Sequence, residues 1–409
     1  MSAPLNILCL APYAPPMNAA EAIQLQRLIR ALSPHVRGTL VSTATQSGSW
    51  SRDDASLAFP DLSLTPIRLR LPLHTLAHRL VTSHRLARLH RPDGMRWILA
   101  CEKQVYAALR QTPDILYSRS QPYSAAILAM RIKRRLEIPW IMHLSDPWAG
   151  NLYRVPCPED DAQEAACFNA ADRIALTTAS QAAFYRKKYP ERAADIFVSP
   201  HCLPLPAEMP IGNATPRAQG QIRLVYTGNF YGIRSPEPLV RALERLRDTA
   251  PHVARGMHLD VYGHAQEDAL RTLRRLPEMI TIHGPIAYDA ALQAQADADF
   301  IVSIEALIDH PLAGTYMPSK IMEALALAKP LLALTPPKSE TATVCAEGYG
   351  WAFSPSEDKA IAGLLQRLWE APEMLRRTAH TAPPSRFMPQ QVAAELLAQM
   401  DNLCGRSSS

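Results

Sequence analysis

Short apolar runs alternate with stretches of helical periodicity along this chain, in two successive blocks. Residues 5–11 read as a buried strand, closed by Pro12-Tyr13-Ala14-Pro15-Pro16. A helix is expected from about Asn18, with Ala22, Leu25, Leu28, Ile29 and Leu32 at helical spacing. Asn18 suits the N-cap, and Glu21 stands three residues on in capping-box position. Residues 40–42 and 67–71 are weaker strand signals. A helix near 98–109 precedes a strand at 114–118, a helix at Ser124–Leu136 and a strand at 138–144. That last strand delivers Ser145-Asp146-Pro147-Trp148 to its carboxyl end. A helix at 159–170, a strand at 173–177, a helix at 180–189 and a strand at 196–199 complete the block. Residues 200–221 hold five prolines and two glycines with little periodicity, which marks a linker.

The second block restarts with a strand at Ile222–Thr227, a loop at 228–234 and a helix at 236–246. Further strands are expected at Met257–Tyr262, 279–283, 300–303 and Leu331–Leu334, with helices at 369–378 and Pro389–Leu403 closing the chain. Alternation of this kind specifies α/β domains, each a parallel sheet wound on both faces. At 409 residues the chain is too long for one core, so two Rossmann-like domains are expected. No apolar run approaches the roughly 18–20 residues needed to span a bilayer. The first residues lack the basic n-region of a secretion signal. Seven cysteines with no Cys-x-x-Cys pair suit reduced thiols in a cytoplasmic protein and argue against a zinc site.

Two stretches carry chemistry. In 316–334, Pro318 suits a helix start, and Ile321, Leu325 and Ala328 form a buried face. Ser319, Lys320 and Glu323 share the other face, and Lys329-Pro330 ends the helix before the next strand. A helix start, a lysine and a carboxylate at the carboxyl end of a sheet make an anion site with a hydroxyl reader beside it. The bland alternative is a surface helix with one ion pair. Between Ile67 and Trp97 lie Arg68, Arg70, Arg79, Arg85, Arg88, Arg91 and Arg96, four histidines and a single acid, Asp93, interleaved with leucines. This reads as a surface for an anionic membrane or polyanion, or equally as a solvated helix packed on its own domain.

With residues 114–124, 145–148, 227–234 and 316–330 in this order, the chain resembles the GT-B glycosyltransferases, and within them family 4 in its bacterial surface-polysaccharide branch. The resemblance implies an α/β GT-B fold. Residues 1–200 would form an acceptor-binding domain and 221–384 a nucleotide-sugar domain. The two would face across a cleft, with a last helix at about 385–405 packing back on the first. It implies transfer of a sugar from a nucleotide-sugar to a glycan or polyprenyl-diphosphate-linked acceptor, with retention and without metal or other cofactor. No Asp-x-Asp of the kind that holds a metal between phosphates is recognised, and no nucleic-acid partner is expected.

Carried onto this sequence, the family's donor-diphosphate arginine and lysine fall at Asn229 and Arg234. Asn229 departs from the pattern, and Lys320 is expected to supply the second cation. The donor-binding set is then Thr227, Gly228, Asn229, Phe230, Arg234, Ser319, Lys320 and Glu323, with Glu323 accepting from the ribose hydroxyls. The family's first glutamate, eight residues earlier, falls at Thr315, a second departure. Its His-Asp pair becomes Ser145-Asp146, with His143 two residues before. Asp146, His143, Arg234 and Lys320 are the expected catalytic residues, although His143 reads more readily as a buried core histidine. Asn18, Arg119 and Asp146 are expected on the acceptor side, although Arg119 can instead pair with an acid. The protein is expected in the cytoplasm, meeting the inner face of the membrane through its basic segment. A GT-B nucleotide-sugar epimerase and a non-catalytic nucleotide-sugar-binding subunit are the alternatives.

Overall fold

The computed structural model describes residues 3–43, 52–54, 57, 63–70, 96–205, 208–210, 221–305, 308–374 and 382–406. Most of the basic segment, including Arg79, Arg85, Arg88 and Arg91, therefore lies outside the described residues. The chain divides into two compact units. The first comprises Met1–Asn151, Val155–Cys202 and Arg386–Ser409, and the second Leu152–Arg154 and Leu203–Ser385.

The first unit is built on seven parallel strands: β1 (Leu5–Leu10), β2 (Val36–Thr43), β3 (Leu64–Leu69), β4 (Ile115–Ser120), β5 (Trp140–Leu144), β6 (Arg173–Leu176) and β7 (Ile196–Val198). Their order is β3-β2-β1-β4-β5-β6-β7. Every residue of β1, β4 and β5 is buried, as parallel strands covered on both faces must be. β3 carries Pro66, which cannot donate to a ladder, and accordingly forms one edge of the sheet. The first helix, Ala20–Leu32, begins two residues later than expected, and no side chain caps it. Asn18 is not its cap. Glu21, in its first turn, is drawn instead to Arg119 and Ser145.

The second unit holds β8 (Ile222–Thr227), β9 (Met257–Tyr262), β10 (Ile280–Gly284), β11 (Phe300–Ile304), β12 (Leu331–Leu334) and β13 (Gly350–Phe353). All are parallel, in the order β10-β9-β8-β11-β12-β13. The helices Glu237–Thr249 and Asp358–Glu370 cover one face through Leu239, Leu243, Leu246, Ile361, Leu365 and Leu368. Two elements went unmarked in the sequence. One is the helix Asp358–Glu370, whose Ile361, Leu364, Leu365 and Leu368 set a buried stripe and whose end is followed by Pro372. Of the helix expected at 369–378, Glu373 and Met374 are helical. Residues 375–378 lie outside the described residues. The edge strand β13, only half buried, lacked an apolar run to mark it.

The last helix, Pro389–Leu403, belongs to the first unit. Val392, Ala393, Leu396 and Met400 enter a core with Leu5, Ile7, Leu25 and Ile29. Leu396 is fully buried. Leu396→Ala is expected to destabilise the first unit by about 2–5 kcal/mol, the usual cost of emptying a leucine site. The denaturant midpoint reads this out, and an unchanged midpoint would show that the helix adds nothing to that core.

Candidate functional site

A doubly wound sheet opens a crevice at the carboxyl ends of its strands where the strand order reverses. In the second unit that point lies between β8 and β11. β8 ends at Thr227, whose hydroxyl accepts from Gln295 Nε2 at 3.0 Å. Gly228 follows and donates its amide to Tyr262 O at 2.8 Å. Beneath it, Gly263 has φ +121°, and a Cβ there would stand 2.2 Å from Gly228 O, so only glycine fits. Asn229 Oδ1 accepts from His264 N at 2.9 Å and holds the neighbouring loop. Phe230 is a core residue, 2% exposed and stacked on Tyr226.

The loop then presents Arg234 between two rings. Its guanidinium lies 5.1 Å from the centroid of Tyr153 and 5.2 Å from that of Tyr231. Nη1 donates weakly to Asn229 O at 3.3 Å, and the buried Nε has no acceptor among the described residues. A guanidinium stays charged at any working pH, so this is a fixed cation with unspent donors.

Lys320 enters from the other side of the crevice. Its helix, Lys320–Ala326, has only seven residues. Ala328, with φ +51°, follows the C-cap Leu327 and turns the chain away before Pro330 can, so it is half buried and not the expected third member of a buried face. Ser319 precedes the helix without capping it. The Lys320 ammonium sits 3.7 Å from the Tyr226 ring centroid, directly over Gly228, where a Cβ would come within 2.9 Å of Nζ. Nζ is buried and donates no hydrogen bond among the described residues. Burial, with Arg234 beside it, pushes the Lys320 pKa well below the ordinary lysine value, while Glu305 and Glu323 pull it back. Glu323 is 4% exposed, and its Oε1 accepts from the Tyr288 hydroxyl at 3.3 Å. Thr315, the other departure, is buried and donates to Leu312 O at 2.7 Å.

Glu305 escaped the sequence reading. It directly follows β11, its amide donates to Leu334 O at 3.0 Å, and it is 1% exposed. Neither carboxyl oxygen has a well-formed hydrogen bond among the described residues. Burial pushes its pKa up to about 7, against the pull of the Thr341 and Thr335 hydroxyls, Arg234 and Lys320. The signal was available as a lone carboxylate ending an apolar strand, but nothing local tied it to Lys320.

In the first unit the reversal lies between β1 and β4. Arg119, on β4, donates through Nε to Glu21 at 3.2 Å, and Ser145 Oγ donates to the same oxygen at 2.9 Å. Arg119 is thus paired with an acid, and its Nη2 finds no acceptor among the described residues. His143 is 1% exposed, with Nδ1 2.7 Å from the Tyr117 hydroxyl. Burial, helped by Arg119 and His201, lowers its pKa far enough to keep it neutral. It is a core histidine in this arrangement. Asp146, past the end of β5, is half buried and accepts from Gln121 Nε2 at 2.8 Å. Its loop is fixed from below, where Trp148 N donates to Tyr185 Oη and Ala149 N to Glu164 Oε2, both at 2.8 Å. The chain's Asp297-Ala298-Asp299 has Asp-x-Asp spacing but lies at the amino end of β11, where Asp299 accepts from Arg223 N.

The elevated Glu305 pKa has a definite sign. The folded state holds that proton more tightly than the unfolded chain, so rising pH costs stability between the ordinary carboxylate value and about 7, with no further loss above. Glu305→Gln, which mimics the protonated form, is expected to flatten this part of the melting-temperature profile and to melt no lower than wild type at pH 8. An unchanged slope between pH 5 and 7 would show that Glu305 does not carry it.

No protein-family profile matches this sequence, and no curated protein does. Solved structures match over nearly the whole chain. Sucrose-phosphate synthase from Thermosynechococcus elongatus has 16% identity and a TM-score of 0.70, covering 98% of this chain and 100% of that one. Anabaena HepE in complex with UDP has 16% identity and a TM-score of 0.62, covering 97% and 100%. A UDP-N-acetylglucosamine 2-epimerase has 14% identity and a TM-score of 0.57, covering 100% and 99%. These likenesses, with two parallel Rossmann-like sheets of seven and six strands, give the chain the GT-B fold.

Proposed function

We propose that this protein is a glycosyltransferase that moves a sugar from a nucleotide-sugar to a hydroxyl of a glycan or lipid-linked acceptor. One observation carries the reading. At the strand-order reversal of the second unit, two buried cations, Arg234 and Lys320, keep donors that no described group accepts, and the carboxylates Glu305 and Glu323 stand close enough to act on Lys320. Buried polar groups ordinarily find partners, so this set is built for a ligand. The ligand it fits carries anionic oxygens for the cations and hydroxyls for a carboxylate, as a nucleoside diphosphate does. Fold neighbours solved with UDP and with UDP-glucose support that class.

In this reading the diphosphate oxygens take the free donors of Arg234 and Lys320, and the ribose hydroxyls donate to Glu323. As the sugar–phosphate bond breaks, negative charge grows on the departing diphosphate. Cations fixed in advance, away from water, act most strongly on that charge. They do so in the proposal without a metal, and the sugar keeps its anomeric configuration. Asp146, in the first unit, takes the part of acid-base or acceptor-orienting group. The acceptor we favour is a polyprenyl-diphosphate sugar of surface-polysaccharide synthesis, met at the inner face of the cytoplasmic membrane. Among the described residues no helix is long and apolar enough to cross a membrane, so such contact would be peripheral.

Lys320→Ala and Arg234→Ala should each weaken binding of the best nucleoside diphosphate from a panel, titrated calorimetrically, by about 1.5–3 kcal/mol. Unchanged affinity in both folded variants would remove the diphosphate from this site. Asp146→Asn should leave donor binding in place and lower kcat with the acceptor about a hundredfold or more. A kcat within about twofold of wild type would exclude Asp146 from the chemistry. Slow donor hydrolysis by wild type, absent from a mere binding subunit, separates those two classes.

A further inference from the structure

Four charged side chains lie around the reversal point of the second sheet: Lys320 over Gly228 past the end of β8, Arg234 on the loop that follows, Glu323 on the helix of Lys320, and Glu305 at the end of β11, the strand beside β8. Lys320 and Arg234 are like charges in one enclosure, and a buried ammonium beside a guanidinium tends to shed its proton. Two carboxylates oppose this. Glu323 lies on the same short helix as Lys320 and is shared with the Tyr288 hydroxyl. Glu305 arrives from a different strand, β11, and neither of its oxygens is committed to a well-formed hydrogen bond among the described residues.

Above about pH 7 Glu305 is an anion facing cations. From the residue after β12 and from the helix Glu340–Val344 come the Thr335 and Thr341 hydroxyls, and Thr335 is already 2.6 Å from Ser339 Oγ. Cys345, just beyond that helix, has its thiol pushed up to about 12 by burial, with Glu305 adding to the rise, so it brings no charge. Tyr226, under Lys320, is likewise held neutral by burial.

We propose that Glu305 is a positioning residue, the buried counter-charge that keeps Lys320 an ammonium ready for an anionic ligand. The proposal rests on the reading of Lys320 as a diphosphate-binding cation. Glu305 touches no ligand in it and acts only through Lys320. A carboxylate that merely filled space would be replaced by glutamine at no cost to binding.

A double-mutant cycle of Glu305→Gln and Lys320→Met tests this in two ways. Without ligand, Lys320→Met strands the Glu305 charge. Its melting temperature should fall between pH 6 and 8.5 by about 2–4 °C more than that of wild type. Adding Glu305→Gln should remove that extra fall. If Glu305→Gln shifts both backgrounds equally, the two residues are uncoupled and the proposal is overturned.

With ligand, UDP, ADP and GDP are titrated at both pH values. Glu305→Gln should weaken the best of them about tenfold at pH 8.5, the effect of roughly one pKa unit at Lys320. The loss should be smaller at pH 6, where Glu305, its pKa pushed up to about 7, is itself largely protonated, and below about twofold when Lys320 is already methionine. Equal weakening at both pH values, or in both backgrounds, overturns the proposal. Lys320→Met binding as tightly as wild type would defeat the diphosphate reading alone, and the melting cycle would still decide whether Glu305 serves Lys320.

Discussion

A charge taken out of water must be answered by another charge or by a ligand, and the second unit is arranged around that constraint. The parallel sheet supplies the place, because strands that part in opposite directions leave a crevice at their carboxyl ends. Gly228 and Gly263 supply the room, letting two backbone segments touch where side chains would separate them. Tyr226, Tyr231 and Tyr153 supply faces on which the cations rest. Arg234 Nε and Lys320 Nζ keep donors that no described group accepts. Ring faces hold a cation in place while leaving its N–H groups free, a useful property where a phosphate is to compete for them.

The first unit answers the same constraint differently. Its buried arginine is matched at once by Glu21, and Ser145 supports the same carboxyl oxygen. Glu164, fully buried, gathers the Tyr185 and Tyr189 hydroxyls, the Ala149 amide and Lys188. The Glu164 network fixes a loop's shape. In the first unit Arg119 keeps its Nη2 without an acceptor among the described residues, and Asp146, half buried, stands just before the fixed Trp148–Ala149 turn.

The alternation was legible in the sequence wherever a strand is buried on both faces. Ile222–Thr227, Met257–Tyr262 and Leu331–Leu334 stand where their apolar runs place them. β13 was not legible, because an edge strand carries a mixed and half-buried sequence. Asn18 misled because a good capping residue near a helix start is only a local signal, and the chain here turns two residues later. Lys320, Glu323 and Arg234 could be picked out from their neighbours in sequence. Glu305 could not, since its meaning depends on Arg234, some seventy residues before it, and on Lys320, fifteen after. The bond from His264 N to Asn229 Oδ1 is likewise a contact between segments far apart in sequence.

The first unit is discontinuous in the chain, with most of the second unit written between Cys202 and Arg386. Synthesis proceeds from the amino end, and domains tend to fold as they emerge. The second unit therefore has its whole sequence available while the first, although begun earlier, still lacks Val392, Ala393, Leu396 and Met400 from its core. On the ribosome the unit that starts first is completed last. Its apolar surface along β1 and the helix Ala20–Leu32 must wait, shielded or not, until the final helix has been made.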